Sequence, residues 1–211
     1  AIATYGALRA AVADWLQRTD LEPVIPVFVG LCEATLARRL RIQPMVARVT
    51  ASVGGAWEDL PADFLEVLAV TCAQGGVERP LTYVPPALLR ERRTVSDGGP
   101  EIFTILGRQF AVSPLPAGGG VVELAYYARP PALSDANPSN VWLAHCPDLC
   151  LYGALLASAP YLMDDARTAL WQGLFQQGLD EVEQADRAAA RGPGPAILRT
   201  DLAAVLPAGP P

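Results

Sequence analysis

His145, Cys146 and Cys150 place three nucleophilic or metal-ligating side chains within six positions, and Cys32 and Cys72 are the only other thiols. An imidazole beside a thiol is the pairing that activates a cysteine nucleophile. Cys146 directly precedes Pro147-Asp148, residues suited to the first turn of a helix, where the dipole would lower a thiol pKa. Zinc needs four ligands, or three and a water, usually from two separated pairs. Adjacent His145 and Cys146 rarely face one ion, and Cys32 or Cys72 would have to supply a distant fourth ligand. His145 is the only histidine, and no Gly-x-Ser-x-Gly elbow surrounds it. The corner therefore reads as a helix start carrying buried free thiols, with a small thiol or zinc protein centred on His145, Cys146 and Cys150 as the alternative.

Other chemistry is weaker. Gly118-Gly-Gly120 lacks a following Lys-Ser/Thr and runs into a strand, so it reads as a hairpin turn and not a phosphate cradle. Asp164-Asp165 reads as a helix cap. Arg38, Arg39 and Arg41 form one basic cluster and Arg90, Arg92 and Arg93 another, neither interleaved with aromatics as a single-strand platform requires. The first cluster suits salt bridges between subunits, to acids such as Asp180, Glu181, Glu183 and Asp186. No catalytic residue, cofactor or metal is assigned.

Composition narrows the field further. All 16 basic residues are Arg, against 22 acids, giving a net charge of −6. That balance argues against a general nucleic-acid binder, which needs a basic footprint to release counterions. The 211 residues are 51% hydrophobic, enough for one core-bearing domain or two small ones. Four cysteines in a chain of this size make no disulfide framework, so a reducing cytoplasm is expected. Ala1 to Gly6 has no basic region or apolar run of a secretory signal. Leu149 to Met163, the longest uncharged apolar stretch, falls short of the roughly 20 residues of a membrane span and is broken by Pro160, so no membrane partner is expected.

The elements that must position these residues follow from periodicity. Thr4 caps a helix with Leu8, Val12, Trp15 and Leu16 on one stripe, expected to end near Thr19-Asp20. A second helix carries Phe28, Leu31, Cys32, Leu36 and Leu40, with Pro26 in its first turn and arginines in its last. From Met45 the period becomes two. Strands are expected over 46–53, 64–71 (buried), 81–84, 101–106, 109–113 and 121–128, with a brief helical or irregular excursion over 86–93 and a hairpin at Gly107-Arg108. Ser139 or Asn140 then caps a short turn. A helix runs from Pro147 to Ala159, Pro160 stopping or kinking it, and a last one from Asp164-Asp165 to about Ala190. A small antiparallel sheet between helical ends makes the fold α+β.

Beyond Arg191 the chain is rich in Pro and Gly, yet Ala196 to Leu206 is apolar, with Ile197, Leu198, Leu202, Val205 and Leu206. It reads as an extended arm that orders on a partner.

Taken in order, these pieces resemble the head-to-tail adaptor, or connector, proteins of tailed bacteriophages. The resemblance spans most of residues 4–180. It is carried by Thr4-Tyr-Gly-Ala-Leu8, Asp14-Trp-Leu16, Arg18-Thr-Asp20, Ile25-Pro-Val-Phe28, Glu33-Ala34 and Arg38-Arg-Leu40. Leu60-Pro-Ala-Asp63-Phe-Leu65, Tyr126-Tyr127, Arg129-Pro-Pro131, Leu133-Ser134, Asn137 and Asn140 continue it. Pro147-Asp-Leu-Cys-Leu-Tyr-Gly-Ala-Leu155, Ala159-Pro-Tyr161 and Asp164-Asp165 close it. Cys150 stands where an aromatic is more usual, and the tail beyond about Arg187 lies outside the resemblance.

The resemblance implies a bundle formed by the N- and C-terminal helices with an inserted antiparallel β domain, and a structural protein without catalytic activity. On that plan 1–44 and 136–190 form the bundle, 45–135 the insert and 191–211 the arm. It further implies a homo-oligomeric ring of twelve copies beneath the portal protein, bridging to a tail nozzle or neck protein in the virion, made in the host bacterial cytoplasm. Another neck or tail-completion role is the nearest variant. DNA would pass through the ring without specific binding. The reading adds Ile197, Leu198, Leu202, Val205 and Leu206 as a portal-binding arm, Arg38, Arg39 and Arg41 as inter-subunit contacts, and Asp180, Glu181, Glu183 and Asp186 as channel-lining acids.

Overall fold

A computed structural model describes residues 1–191 except 19, 56, 75–76, 92–94, 97–98, 117–119 and 164–165. Helix α1, Tyr5–Leu16, starts where Thr4 Oγ1 accepts from Ala7 N at 3.2 Å. It stops short of Thr19-Asp20: Gln17 adopts a left-handed conformation (φ 54°), and the turn that follows buries Leu21. Helix α2, Ile25–Arg39, buries Ile25, Phe28, Val29, Cys32 and Leu36, a helical stripe, and carries Pro26 in its first turn.

The β region then begins with β1, Val46–Val53, followed by β2, Glu58–Asp59, β3, Phe64–Gln74, β4, Val77–Pro80, and β5, Thr82–Tyr83. After α3, Pro86–Glu91, come β6, Val95–Ser96, β7, Ile102–Leu106, β8, Gln109–Ser113, β9, Leu115–Pro116, and β10, Gly120–Ala128. Gly107 supplies the positive φ (62°) that the tight β7–β8 hairpin demands. One sheet has the order β1-β10-β3-β4, wholly antiparallel; a second has β2-β8-β7-β5; β6 and β9 pair alone. The expected single antiparallel sheet is thus corrected to two four-stranded sheets and a two-stranded one, with β5–β7 and β6–β9 parallel. Of the two-residue strands, β5 falls within the strand expected over 81–84, whereas β2, β6 and β9 are too short to carry a period and match no expected strand.

β3 is not the buried strand its apolar run suggests. Val70 and Cys72 face the core, but Leu68, at the bulge opposite Ala125/Tyr126, is 51% exposed, because one face of this sheet is open to solvent.

The chain returns to helix with α4, Val141–His145, capped by Asn140, and α5, Pro147–Leu162. Pro160 does not end α5 at Ala159. It removes one donor in the last turn, and the helix ends only at Met163, which is left-handed (φ 57°). Helix α6 runs Thr168–Arg191, opening later than foreseen; Asp164-Asp165 lie outside the described residues. α5 packs against α1, α2, α4 and α6.

Two cores result. One joins Leu8, Val12, Phe28, Leu36, Trp142, Leu149, Leu155, Trp171 and Leu179 from the helices of both chain ends. The other joins Val53, Val70, Phe103, Phe110, Val122, Leu124 and Tyr126 from the strands.

Candidate interaction surfaces

The His145 corner does not assemble into a reactive site. His145 ends α4 on the exposed surface, whereas Cys146 is fully buried and Cys150 nearly so, one turn into α5. A helix start was expected to lower the Cys146 thiol. Instead burial, reinforced by the Asp148 charge, pushes it up to about 12. Burial also raises Cys150 and Cys32 far above the ordinary thiol range. Cys32 Sγ lies 3.6 Å from the Leu149 carbonyl oxygen, a contact internal to the core. Cys72 sits in the other core. Among the described residues, no three His, Cys, Asp or Glu side chains come together to hold a metal ion.

The basic cluster is partly occupied within the chain. Arg41 Nε donates to Glu66 Oε2 at 2.9 Å, tying the end of α2 to β3, and its Nη1 donates to the Ala37 and Leu40 carbonyls. Arg39 donates to Gln176 on α6 at 2.9 Å, and Arg38 to Thr35 in its own helix at 3.1 Å. Both are exposed.

On α6, Asp180 and Glu181 are exposed and Glu183 and Asp186 half-buried, and the first three have partners within the helix. Gln176 donates to Asp180 and Gln177 to Glu181, both at 2.8 Å. Arg187 pairs with Glu183 at 3.0 Å. Asp186 reaches further, accepting from the Gln43 backbone N–H at 2.6 Å. Arg39, Arg41, Glu183, Asp186 and Arg187 line one polar cleft, so basic and acidic residues that were expected to meet between copies already share a surface within one. The apolar arm residues Ile197, Leu198, Leu202, Val205 and Leu206 lie outside the described residues, as do Arg92 and Arg93 of the second basic cluster.

A buried polar network centres on Glu33, a residue with no chemical motif around it in the sequence. Glu33 is only 8% exposed, and its carboxylate accepts from Leu133 N at 3.1 Å and from Asn140 Nδ2 at 2.7 Å. Burial raises its pKa, while the Leu133 and Asn140 hydrogen bonds work to lower it. The same Asn140 caps α4, its Oδ1 accepting from Leu143 N at 3.1 Å, and its amide also donates to the Pro131 carbonyl at 3.0 Å. Asn137 donates to the Ala132 carbonyl, and Ser134 and Asn137 hold each other across the turn. Upstream, the Asp63 carboxylate accepts from Tyr126 Oη at 3.1 Å, while the Asp63 backbone carbonyl accepts from Arg129 N at 2.7 Å. Asp63, Tyr126, Pro131, Leu133, Asn137, Asn140 and Glu33 thus form a near-continuous strap that guides the chain out of the sheet and onto α2. These residues are dispersed over more than a hundred positions in sequence, and no local spacing links them.

A family model described as SU10 adaptor protein matches residues 3–199. The chain belongs to the SU10 adaptor protein family. This is a family of phage head-to-tail adaptors, and it supplies a structural role for a chain whose thiols are buried apart from the exposed His145. The match reaches residue 199, past Arg187, where the resemblance was expected to stop. Membership also gives the strap a context: Glu33, Asp63, Tyr126, Pro131, Leu133, Asn137 and Asn140 are among the residues by which the sequence resembles adaptors, and here they hold the strands to the helices. Among curated proteins, no relative of this adaptor is found. No helix among the described residues is long and apolar enough to cross a membrane.

Proposed function

We propose that this chain is the structural adaptor that forms a twelve-copy ring beneath the portal in the virion neck, joining the DNA-filled head to a tail nozzle or neck protein. The observation that carries this reading is the family match over residues 3–199. In this reading the helices of the two chain ends form the portal-side unit, the β strands between them face the tail, and the 192–211 arm grips the portal through Ile197, Leu198, Leu202, Val205 and Leu206. Exposed Arg38 and Arg39, with Arg41 held by Glu66, face acids of the neighbouring copy.

Asp180, Glu181, Glu183 and Asp186 line the channel. DNA must pass such a channel without sticking, and acids on its wall repel phosphate over about 8 Å at physiological ionic strength. The exposed positions of Asp180 and Glu181 on α6 support the assignment, and the half-buried Glu183 and Asp186 keep part of their surface in solvent.

Sedimentation and negative-stain imaging of the protein mixed with portal rings of the same phage test the reading. The expected result is comigration and a symmetric layer added at one end of the portal. A protein that stays apart from portal and neck components alike overturns it.

A further inference from the structure

Among the described residues, the antiparallel sheet β1-β10-β3-β4 has two open edges of contrasting character. β1 is a regular strand of eight residues paired on one side only, to β10, from Val46↔Tyr127 to Val53↔Gly120. It contains no proline and a single charge, Arg48. An edge so long and so little protected invites another strand. β4 at the far edge is short, and all four of its residues, Val77 to Pro80, are exposed.

Register places the side chains of both edges. Opposed residues share a face. Cys72 and Val122 point into the strand core, so their partners Arg79 and Ala51 share the inner face, as do Val77 and Val49 two positions along. Arg48 and Glu78 fall on the outer face.

Beside β1 the inner face is uncovered. Val49, Ala51, Leu60, Phe110, Val122 and Leu124 line an apolar groove of about 280 Å³, with Asp59 and Pro61 completing it, and Val49 is 37% exposed despite facing inward. Val77, on the inner face of β4, is 53% exposed. Arg48 touches Glu123 of its own sheet only at 3.7 Å with three-quarters of its side chain in solvent, and Glu78 has no charged partner among the described residues.

We propose that β4 of one copy pairs antiparallel with β1 of the next, Val77 opposite Val49 and Glu78 opposite Arg48, so that the sheet continues from copy to copy around the ring. The inference rests on the ring proposed above. Within one sheet β1 and β4 run in opposite directions, so repeating the sheet in the same orientation makes the new pair antiparallel without inverting a copy. The contact is heterologous, using two different edges of each molecule, as a closed ring requires. Val77 of the incoming strand enters the apolar groove, and Glu78 supplies the carboxylate that exposed Arg48 lacks at close range. Short, proline-ended β4 limits pairing to four residues, which leaves the long edge specific for its own partner strand.

Cysteine cross-linking tests the pairing in the full chain bound to portal rings. Val49 and Val77 sit on opposite edges of one sheet, three strand spacings or about 14 Å apart across the strands and four residues apart along them, beyond disulfide reach, so a Val49→Cys/Val77→Cys protein links only between copies. Mild oxidation is expected to give a covalent ladder on a non-reducing gel, about tenfold stronger than from either single variant, while the four buried native cysteines stay silent.

Charge reversal reads the same contact without touching the groove. Arg48→Glu and Glu78→Arg should each lower ring formation about tenfold, and the two together should restore it, since every interface then regains opposite charges. Rings that form in the imaging assay but show neither the ladder nor the charge rescue overturn this interface and leave the adaptor reading standing. Wild-type protein that forms no ring on the portal overturns both.

Discussion

Glu33 is a carboxylate whose burial works against its charge. Its folded-state pKa is raised, so the protonated form is favoured by folding. The stability this group contributes is therefore fully present below the ordinary glutamate range and is lost as pH rises through the raised, folded value. Glu33→Gln keeps an oxygen for Leu133 N and Asn140 Nδ2, both of which reach Oε1, and removes the titration. Thermal melts between pH 4 and 7 should show the wild type losing stability relative to the Gln variant as pH rises; parallel curves would contradict the assignment. Glu33→Ala leaves two buried donors unpaired and should cost about 2–4 kcal/mol at any pH in this window. Gly153 is a second point of tension. A Cβ there would run into Cys32 Sγ and come within 2.8 Å of Phe175 Cε2, so Gly153→Ala should destabilise by about 1–3 kcal/mol in urea unfolding. At this scale the sequence was readable where a residue acts on its neighbours, as Thr4 and Asn140 do in capping α1 and α4. It misled where the environment comes from afar: Cys146 does begin a helix, but burial outweighs the dipole.

Elements were legible in proportion to their period. Helices α1, α2 and α5, strands β1 and β10, and the β7–β8 hairpin all announce themselves through apolar spacing or turn chemistry. Strands β2, β6 and β9, and the parallel pairing of β5 with β7 and of β6 with β9, do not, because two residues carry no period and these partners are set by tertiary packing. The polar face of α6 raises a related point. Four acids in seven positions look interchangeable in sequence, yet among the described residues only Asp186 hydrogen-bonds another element, holding the Gln43 N–H at the start of the turn that leads into β1. Asp186→Ala should therefore cost about 1–2 kcal/mol, the range for a hydrogen bond to a charged group at an exposed site, while Glu181→Ala, which loses only a contact to Gln177 one turn away, should leave the melting temperature unchanged. Equal effects at the two positions would mean that the acids act through their collective charge alone. If they face a DNA channel, both variants should still assemble.

For the whole molecule, the proposed docking by residues 192–211 requires that the rest of the chain fold without them. The described residues close two cores without calling on anything beyond Val182, in the helical core, or Ala128, in the strand core. Helix α6 then ends at Arg191, and the 20 residues that follow can span up to about 65–70 Å when extended. Their composition, proline and glycine at both ends of an apolar run, disfavours a helix and leaves Ile197, Leu198, Leu202, Val205 and Leu206 as the residues with binding energy to offer. Burying such a run against a partner is worth on the order of 1.5–3 kcal/mol per fully covered side chain, reduced by the cost of ordering the arm. Deleting 192–211 should thus abolish stable attachment to portal rings while leaving the melting temperature within a few degrees of the full chain. Replacing Ile197, Leu198, Leu202, Val205 and Leu206 with serine in the intact chain should do the same, separating the chemistry of the arm from its length. Truncated protein that still joins the portal normally would transfer the docking role to the folded helices, and the exposed arginines of α2 would then be the next surface to reverse in charge.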